Sequence, residues 1–272
     1  MVSTWIVVPC YNEAARLDRD AFQRFVVRAD DVGVLFVDDG STDATSTVLG
    51  ELVRADARHF RLLALPANAG KAEAVRQGVL AALQDAPQYL GYWDADLATP
   101  LDALNELRRV LDEHSDVDLV MGARVQLLGR SIERRAWRHY VGRIGATLIS
   151  ALLELPVYDT QCGAKLFRRS PWTAELFGEP FTTRWLFDVE ILARMLRIRQ
   201  RPGVSLPPLQ RAVFEYPLQS WRDVDGSKVG LWDIARTVPQ LLRIRRRYLA
   251  HSRPAPTALL TGSQSPVVRP RT

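Results

Sequence analysis

The sequence predicts an α/β fold, a mostly parallel sheet flanked by helices, and three observations predict it. Short β-rich runs alternate with helix-length segments through the first half of the chain, which is the pattern of βαβ units. Crossovers between parallel strands are right-handed, so the helices belong on both faces of the sheet. Two of the runs end in acidic pairs, at the sheet edge where open α/β folds bind ligands.

The β-rich runs cover residues 4–8, 32–37, 61–65, 89–93 and 118–121, and residues 14–29, 45–55, 72–83 and 101–111 have helical periodicity between them. Thr99, Pro100 and Asp102 read as an N-cap, a first-turn proline and a first-turn acid. They start a helix just after Trp93-Asp94-Ala95-Asp96. Ser41 and Thr42 offer hydroxyls to cap the helix that follows Asp38-Asp39-Gly40. In the second half, residues 131–153 read as a helix with arginines on one side and Trp137, Val141, Ile144, Leu148, Ile149 and Leu152 on the other. Residues 186–196 form another, and the Pro-rich stretch 201–217 reads as loop with short strands. Residues 231–249 look helical, with Pro239 expected to kink or break them. Residues 251–272 have the Pro, Ser and Thr content of a disordered tail.

With 272 residues and 47% apolar composition, the chain can bury a sizeable core without disulfides. Cys10 and Cys162 stand far apart and belong to no metal-binding spacing, so they read as buried free thiols. The N-terminal stretch has no basic n-region, long apolar h-region or small-residue cleavage site, so it does not read as a signal peptide. The longest nearly uncharged run, residues 144–153, is about half of the ~20 residues that span a bilayer. A soluble or peripheral cytoplasmic protein is therefore expected, at the inner face of the membrane if it meets one. The net charge of +5 hides two arginine clusters, Arg124 to Arg143 and Arg243 to Arg253. Clusters of this kind suit phosphates or an anionic surface. Nucleic acid is not expected as a partner, because the clusters lack the interleaved aromatics that stack on bases.

Four groups of residues carry chemistry. Asp94 and Asp96 end the fourth strand, where two carboxylates on one side of an extended segment can share a divalent cation whose other ligands are phosphate oxygens. Asp38 and Asp39 end the second strand and can accept from a base N–H or a ribose hydroxyl. Pro9-Cys10-Tyr11-Asn12-Glu13 ends the first strand. Gly70-Lys71 opens a helix, where backbone N–H groups and an ammonium favour anions. Ordinary turn and cap roles explain each group singly, but not their convergence on one sheet edge.

The stretches VVPCYNEAARL, FVDDGSTDAT, NAGKAEAVRQG and YWDADLATP resemble the GT-A family 2 glycosyltransferases, over about residues 4–235. DTQCGAKLF, RWLFDVEIL and WRDVDGSKV resemble the polyprenyl-phosphate (dolichyl-phosphate) glucosyltransferase branch. The resemblance implies one GT-A domain over residues 1–250, with a nucleotide-sugar half (1–123) and an acceptor half (124–250). It implies that Pro9, Tyr11, Asn12, Glu13, Asp39, Lys71 and Asp94 bind the donor. Asp94 and Asp96 would hold Mg²⁺ or Mn²⁺, and Lys228 would lie near the donor diphosphate. Arg124, Arg134, Arg135 and Arg138 would meet an acceptor phosphate. Asp188 falls where other GT-A enzymes place their acid–base residue.

The implied reaction is inverting transfer of glucose from UDP-glucose to a polyprenyl phosphate, at a peripheral membrane contact. Mannose from GDP-mannose, a soluble hydroxyl acceptor and a non-catalytic nucleotide- or lipid-binding module are the alternatives. A phosphate monoester is largely ionised at neutral pH and needs cations rather than a base, whereas a hydroxyl needs a general base.

Overall fold

The structure, a computed structural model, describes residues 2–133, 136–223 and 231–249. The expected tail, residues 251–272, lies outside them. Strands β1 (Thr4–Cys10), β2 (Val32–Asp38), β3 (Phe60–Ala64), β4 (Tyr89–Trp93) and β5 (Leu119–Ala123) come first in the chain. β6 (Ser131–Glu133), β7 (Ala164–Arg168), β8 (Val213–Pro217) and β9 (Ser220–Arg222) follow. Seven of them form one sheet in the order β3-β2-β1-β4-β7-β5-β8, and β6 pairs with β9 beside it. Within the large sheet only β7 runs against its neighbours β4 and β5, so the sheet is mostly parallel.

The helices are α1 (Arg19–Arg28), α2 (Thr45–Ala55), α3 (Lys71–Ala82), α4 (Ala103–Glu113) and α5 (Ala136–Leu153), then α6 (Pro171–Gly178), α7 (Phe187–Arg199), α8 (Leu209–Ala212) and α9 (Leu231–Ile244). The period-two alternation of β1 divides them into two layers. Trp5 and Val7 join the core made with α3, α5, α6, α7 and α9. Ile6, Val8 and Cys10 join the core made with α1, α2 and α4. Helices on both faces leave the carboxyl ends of the parallel strands as the open edge, which is where the acidic pairs lie. Cys10 and Cys162 are both free and buried.

Several local expectations are corrected. The helix after β4 begins at Ala103, not at Pro100, because a turn intervenes in which the Ala103 N–H donates to the Pro100 carbonyl. Thr99 is no cap: its carbonyl accepts from the Trp93 indole (2.8 Å) and its hydroxyl faces the Cys162 thiol. Ser41 and Thr42 do not cap α2, which starts at Thr45. Asp43 takes the Thr45 N–H instead, at 2.9 Å. β7 is absent from the sequence reading, since its second residue is a lysine. Residues 131–153 open with the short strand β6 before becoming helical. α9 runs through Pro239 and passes into a π-helical turn at Arg245–Leu249; the proline forgoes one hydrogen bond without ending the helix.

Candidate active site

The loop after β1 is locked to the loop after β2. Asn12 adopts φ +55°, a left-handed conformation that asparagine tolerates better than most residues. Its N–H donates to Ser41 Oγ (3.0 Å), and its Oδ1 accepts from the Thr42 N–H (2.9 Å). The next two N–H groups, of Glu13 and Ala14, donate to Thr45 Oγ1 at 2.8 and 3.0 Å. Pro9 is the penultimate residue of β1, Tyr11 is exposed at this edge, and the buried Glu13 carboxylate holds the Arg16 guanidinium with two hydrogen bonds.

Asp39 joins the second loop to the third. It is buried, and its two oxygens accept the N–H groups of Ala69 (2.7 Å) and Gly70 (2.8 Å). Gly70 has φ +94°, a conformation that a side chain would strain, and it launches α3 with Lys71 at the first position. Lys71 Nζ lies 2.5 Å from Asp94 Oδ1, so the third loop closes on the fourth.

Asp94 and Asp96 do not continue the extended strand. The Leu97 N–H donates to the Asp94 carbonyl at 3.2 Å, Leu97 has φ +50°, and the two acids therefore share a tight turn. Asp96 Oδ1 accepts the Ala98 N–H at 3.1 Å. Gly163, just before β7, supports Asp94 from behind. Its carbonyl accepts the Asp94 N–H at 3.0 Å, and a Cβ on it would lie 1.8 Å from Asp94 Oδ2.

The charges set the two acids apart. Loss of hydration pushes the Asp94 carboxyl up, but the charges of Lys71, Lys165 and Arg124 together outweigh it and the net shift is downward. For Asp96, loss of hydration and the neighbouring Asp94 charge act together and raise it. Lys71 is pulled down by loss of hydration and raised further by Asp94 and Asp188. Arg16 is raised chiefly by its hydrogen bonds to Glu13, with smaller contributions from the charges of Asp96 and Asp94.

Two expected groups are already engaged. Arg124, at the end of β5, forms a two-point contact with Asp159, Nε to Oδ2 and Nη2 to Oδ1 at 2.7 Å each. Its guanidinium also lies 5.2 Å from the centre of the Trp221 ring. Burial opposes the Arg124 charge, but Asp159 more than offsets it and holds the guanidinium protonated. Asp188, in the first turn of α7, is buried with Oδ1 2.6 Å from Lys165 Nζ, and it accepts the Tyr92 hydroxyl. Arg134, Arg135 and Lys228 lie outside the described residues, as does the side chain of Arg138.

Four neighbours escaped the sequence reading. Arg16, Lys165 and Gly163 are described above, and Arg184 is the fourth. Its Nη2 donates to the Ala69 carbonyl at 3.3 Å, and its Nε lies 3.4 Å from where a Gly70 Cβ would stand. Lys165 carried a legible signal, because a lysine inside the apolar run of β7 needs a buried acid.

Among the described residues no group of three or more His, Cys, Asp or Glu could hold a metal ion. Asp94 and Asp96 offer two carboxylates at one turn, which fits an ion whose remaining ligands come from phosphates and water.

Known proteins match this picture at each level. The family model for Glycosyl transferase family 2 matches residues 5–173, and the chain belongs to that family. Its relatives include dolichyl-phosphate beta-glucosyltransferases over about nine-tenths of the chain. That of Drosophila melanogaster is 32% identical over 259 residues, covering 90% of this chain and 74% of the relative. That of Homo sapiens is 31% identical over 261 residues, covering 90% and 75%. Among solved structures, glucosyl-3-phosphoglycerate synthase from Mycobacterium tuberculosis superposes with a TM-score of 0.60 at 20% identity, covering 89% of this chain and 80% of that one. The same enzyme in complex with Mn²⁺ and UDP-glucose gives a TM-score of 0.59 at 22% identity, covering 89% and 79%. These likenesses establish a shared fold.

Proposed function

We propose that the chain transfers glucose from UDP-glucose to a polyprenyl phosphate with inversion at the anomeric carbon. The observation that carries the proposal is the contact of Lys71 with Asp94 at the sheet's carboxyl edge, where Asp94 and Asp96 share one turn, an ammonium beside two carboxylates that suits a diphosphate and a divalent cation. The similarity to dolichyl-phosphate beta-glucosyltransferases supports the choice of sugar and acceptor.

In this reading the first two loops seat the nucleotide. Asp39 positions the Ala69–Gly70 turn as well as facing the base and ribose, and Lys71 and Arg16 neutralise the diphosphate. Mg²⁺ or Mn²⁺ held by Asp94 and Asp96 would offset the charge that collects on the departing UDP. A phosphate oxygen of the acceptor forms the new bond to the anomeric carbon as the bond to the diphosphate breaks. That nucleophile is already ionised, and Asp188 is committed to Lys165 and Tyr92, so a base is not required of it. Arg124, fixed by Asp159, supplies a positive charge on the acceptor side, with Arg134, Arg135 and Arg138 as further cations there and Lys228 as a cation for the donor diphosphate.

The same reading includes contact with the cytoplasmic face of a membrane. Among the described residues no helix is long and apolar enough to cross one. Ile144 and Leu148 are exposed one turn apart on α5, and Val238 and Leu242 are exposed one turn apart on α9. The two helices pack on each other, and Arg143 and Arg243 stand beside these pairs in sequence. Apolar pairs flanked by cations suit an anionic interface, with each basic residue contributing about 1 kcal/mol.

The test incubates purified protein with labelled UDP-glucose or GDP-mannose, Mg²⁺ or Mn²⁺, and a polyprenyl phosphate in detergent. Label is expected in the organic phase from UDP-glucose alone. Lipid-borne label from GDP-mannose alone, or from neither donor, would overturn the proposal.

A further inference from the structure

The second half of α5 and the loop after it enclose an open groove of about 560 Å³, within the ~300–1,000 Å³ range of small-molecule sites. One wall is the helix face that carries Arg143, Thr147 and Ala151, and the other is the apolar turn Leu155, Pro156 and Val157. Tyr158 closes one end, with the Arg143 guanidinium carbon 3.9 Å from its ring centre. Stacking fixes the guanidinium and leaves its edge to donate. Arg143 Nη1 is buried and has no hydrogen-bond partner, an arrangement that native structures rarely leave without a ligand or water.

This wall is built in advance. The N–H groups of Tyr158 and Asp159 both donate to the Glu215 carboxylate, at 2.8 and 2.7 Å. Asp159 in turn grips Arg124. The Arg143 end of the groove, whose lining also includes Ser150 and Glu154, is thus one residue along the chain from the Arg124–Asp159 pair.

We propose that this groove binds the phosphate-proximal isoprene units of the acceptor, with Arg143 Nη1 donating to the phosphate end of the lipid. The inference rests on the polyprenyl-phosphate reading above and locates its lipid. An apolar chain would cover Leu155, Pro156 and Val157, and the anionic head would satisfy the one unpartnered donor in the groove.

Two variants test it, each assayed with a long polyprenyl phosphate, farnesyl phosphate and glycerol phosphate as acceptors. Ala151 is exposed, so Ala151→Trp fills the groove without entering the core. Arg143→Met removes the charge while keeping a long side chain. Ala151→Trp is expected to raise the KM for the long lipid and for farnesyl phosphate alike, about tenfold or more, with the KM for glycerol phosphate and for UDP-glucose unchanged. Arg143→Met is expected to raise the KM for both lipids alike, by about the tenfold that a charge-assisted hydrogen bond supports. If Ala151→Trp disturbs the UDP-glucose KM, Thr147→Trp on the same exposed face repeats the block. Wild-type acceptor KM in both variants would overturn the inference and leave the proposed function standing. Equal loss with glycerol phosphate and the lipids would show that the groove does not hold an apolar chain. A wild-type protein that glucosylates no polyprenyl phosphate would remove both.

Discussion

Asp188 Oδ1 and Lys165 Nζ lie 2.6 Å apart, one from the first turn of α7 and one from the start of β7, both buried. The Lys165 ammonium also donates to the Cys162 carbonyl at 2.7 Å, and the Tyr92 hydroxyl donates to Asp188. The pair therefore ties α7 to the sheet directly behind Gly163 and Asp94. Removing one partner of a buried pair leaves an uncompensated charge, which costs about 3–5 kcal/mol. Asp188→Asn is expected to lower unfolding stability by about that amount in a urea titration, and Lys165→Met in the same chain is expected to recover part of it. An Asp188→Asn protein with unchanged stability and a large loss of kcat would point to a base instead.

Gly163→Ala tests the support of the acid pair. The new Cβ would collide with Asp94 Oδ2, and neither the strand behind nor the turn in front can yield easily. Metal-dependent binding of UDP is expected to fall by at least about tenfold, an effect of ~1.4 kcal/mol. The readout is fluorescence or calorimetric titration with Mn²⁺ present, and unchanged affinity would refute the geometry.

The membrane surface predicts a separable phenotype. Ile144→Asp together with Leu148→Asp places two charges on an exposed face, away from the core. Co-sedimentation with anionic vesicles is expected to drop, while the KM for UDP-glucose stays at its wild-type value. Equal sedimentation of variant and wild type would remove this face from consideration.

One pH dependence follows from the scaffold. Asp31, just before β2, takes two hydrogen bonds from Arg108 of α4 (2.6 and 3.1 Å) and one from Ser3 (2.6 Å). Arg108 and then Ser3 hold its carboxyl below the usual value of 3.8, against a smaller opposing effect of burial. A depressed folded value stabilises the protein at pH above the unfolded value and loses that contribution as pH falls through the folded one. Asp31 is partly exposed, so the contribution is about 0.5–1 kcal/mol. Asp31→Asn is expected to cost this much at pH 7, and the difference should close as pH falls below about 4. A difference that stays constant with pH would contradict the assignment.

Much of the donor side was legible because its signals are local. Short β-rich runs between helix-length segments marked β1 and β2, and the acids at strand ends marked the edge where the loops meet. The features that were missed depend on partners distant in sequence. Ser41 has the composition of a cap, but its hydroxyl is taken by Asn12 across the cleft. Thr99 is drawn to Trp93 and Cys162 for the same kind of reason. β7 contradicts the apolar-strand pattern at Lys165, and only Asp188 on α7 explains that lysine. Arg124 reads as a free cation until Asp159, 35 residues later, is seen to hold it. The apolar side of α5 divides as well, with Ile149 and Leu153 buried while Ile144 and Leu148 are exposed, a division that helical periodicity alone does not reveal.

The central claim is that Asp94 and Asp96 join a divalent cation to the donor diphosphate. Calorimetric titration of UDP-glucose into wild-type protein and into Asp96→Ala, each with and without Mn²⁺, tests it most directly. Binding that strengthens with Mn²⁺ in the wild type and ignores Mn²⁺ in Asp96→Ala is the predicted result. Equal Mn²⁺ dependence in the two proteins, or wild-type binding indifferent to the metal, would contradict it.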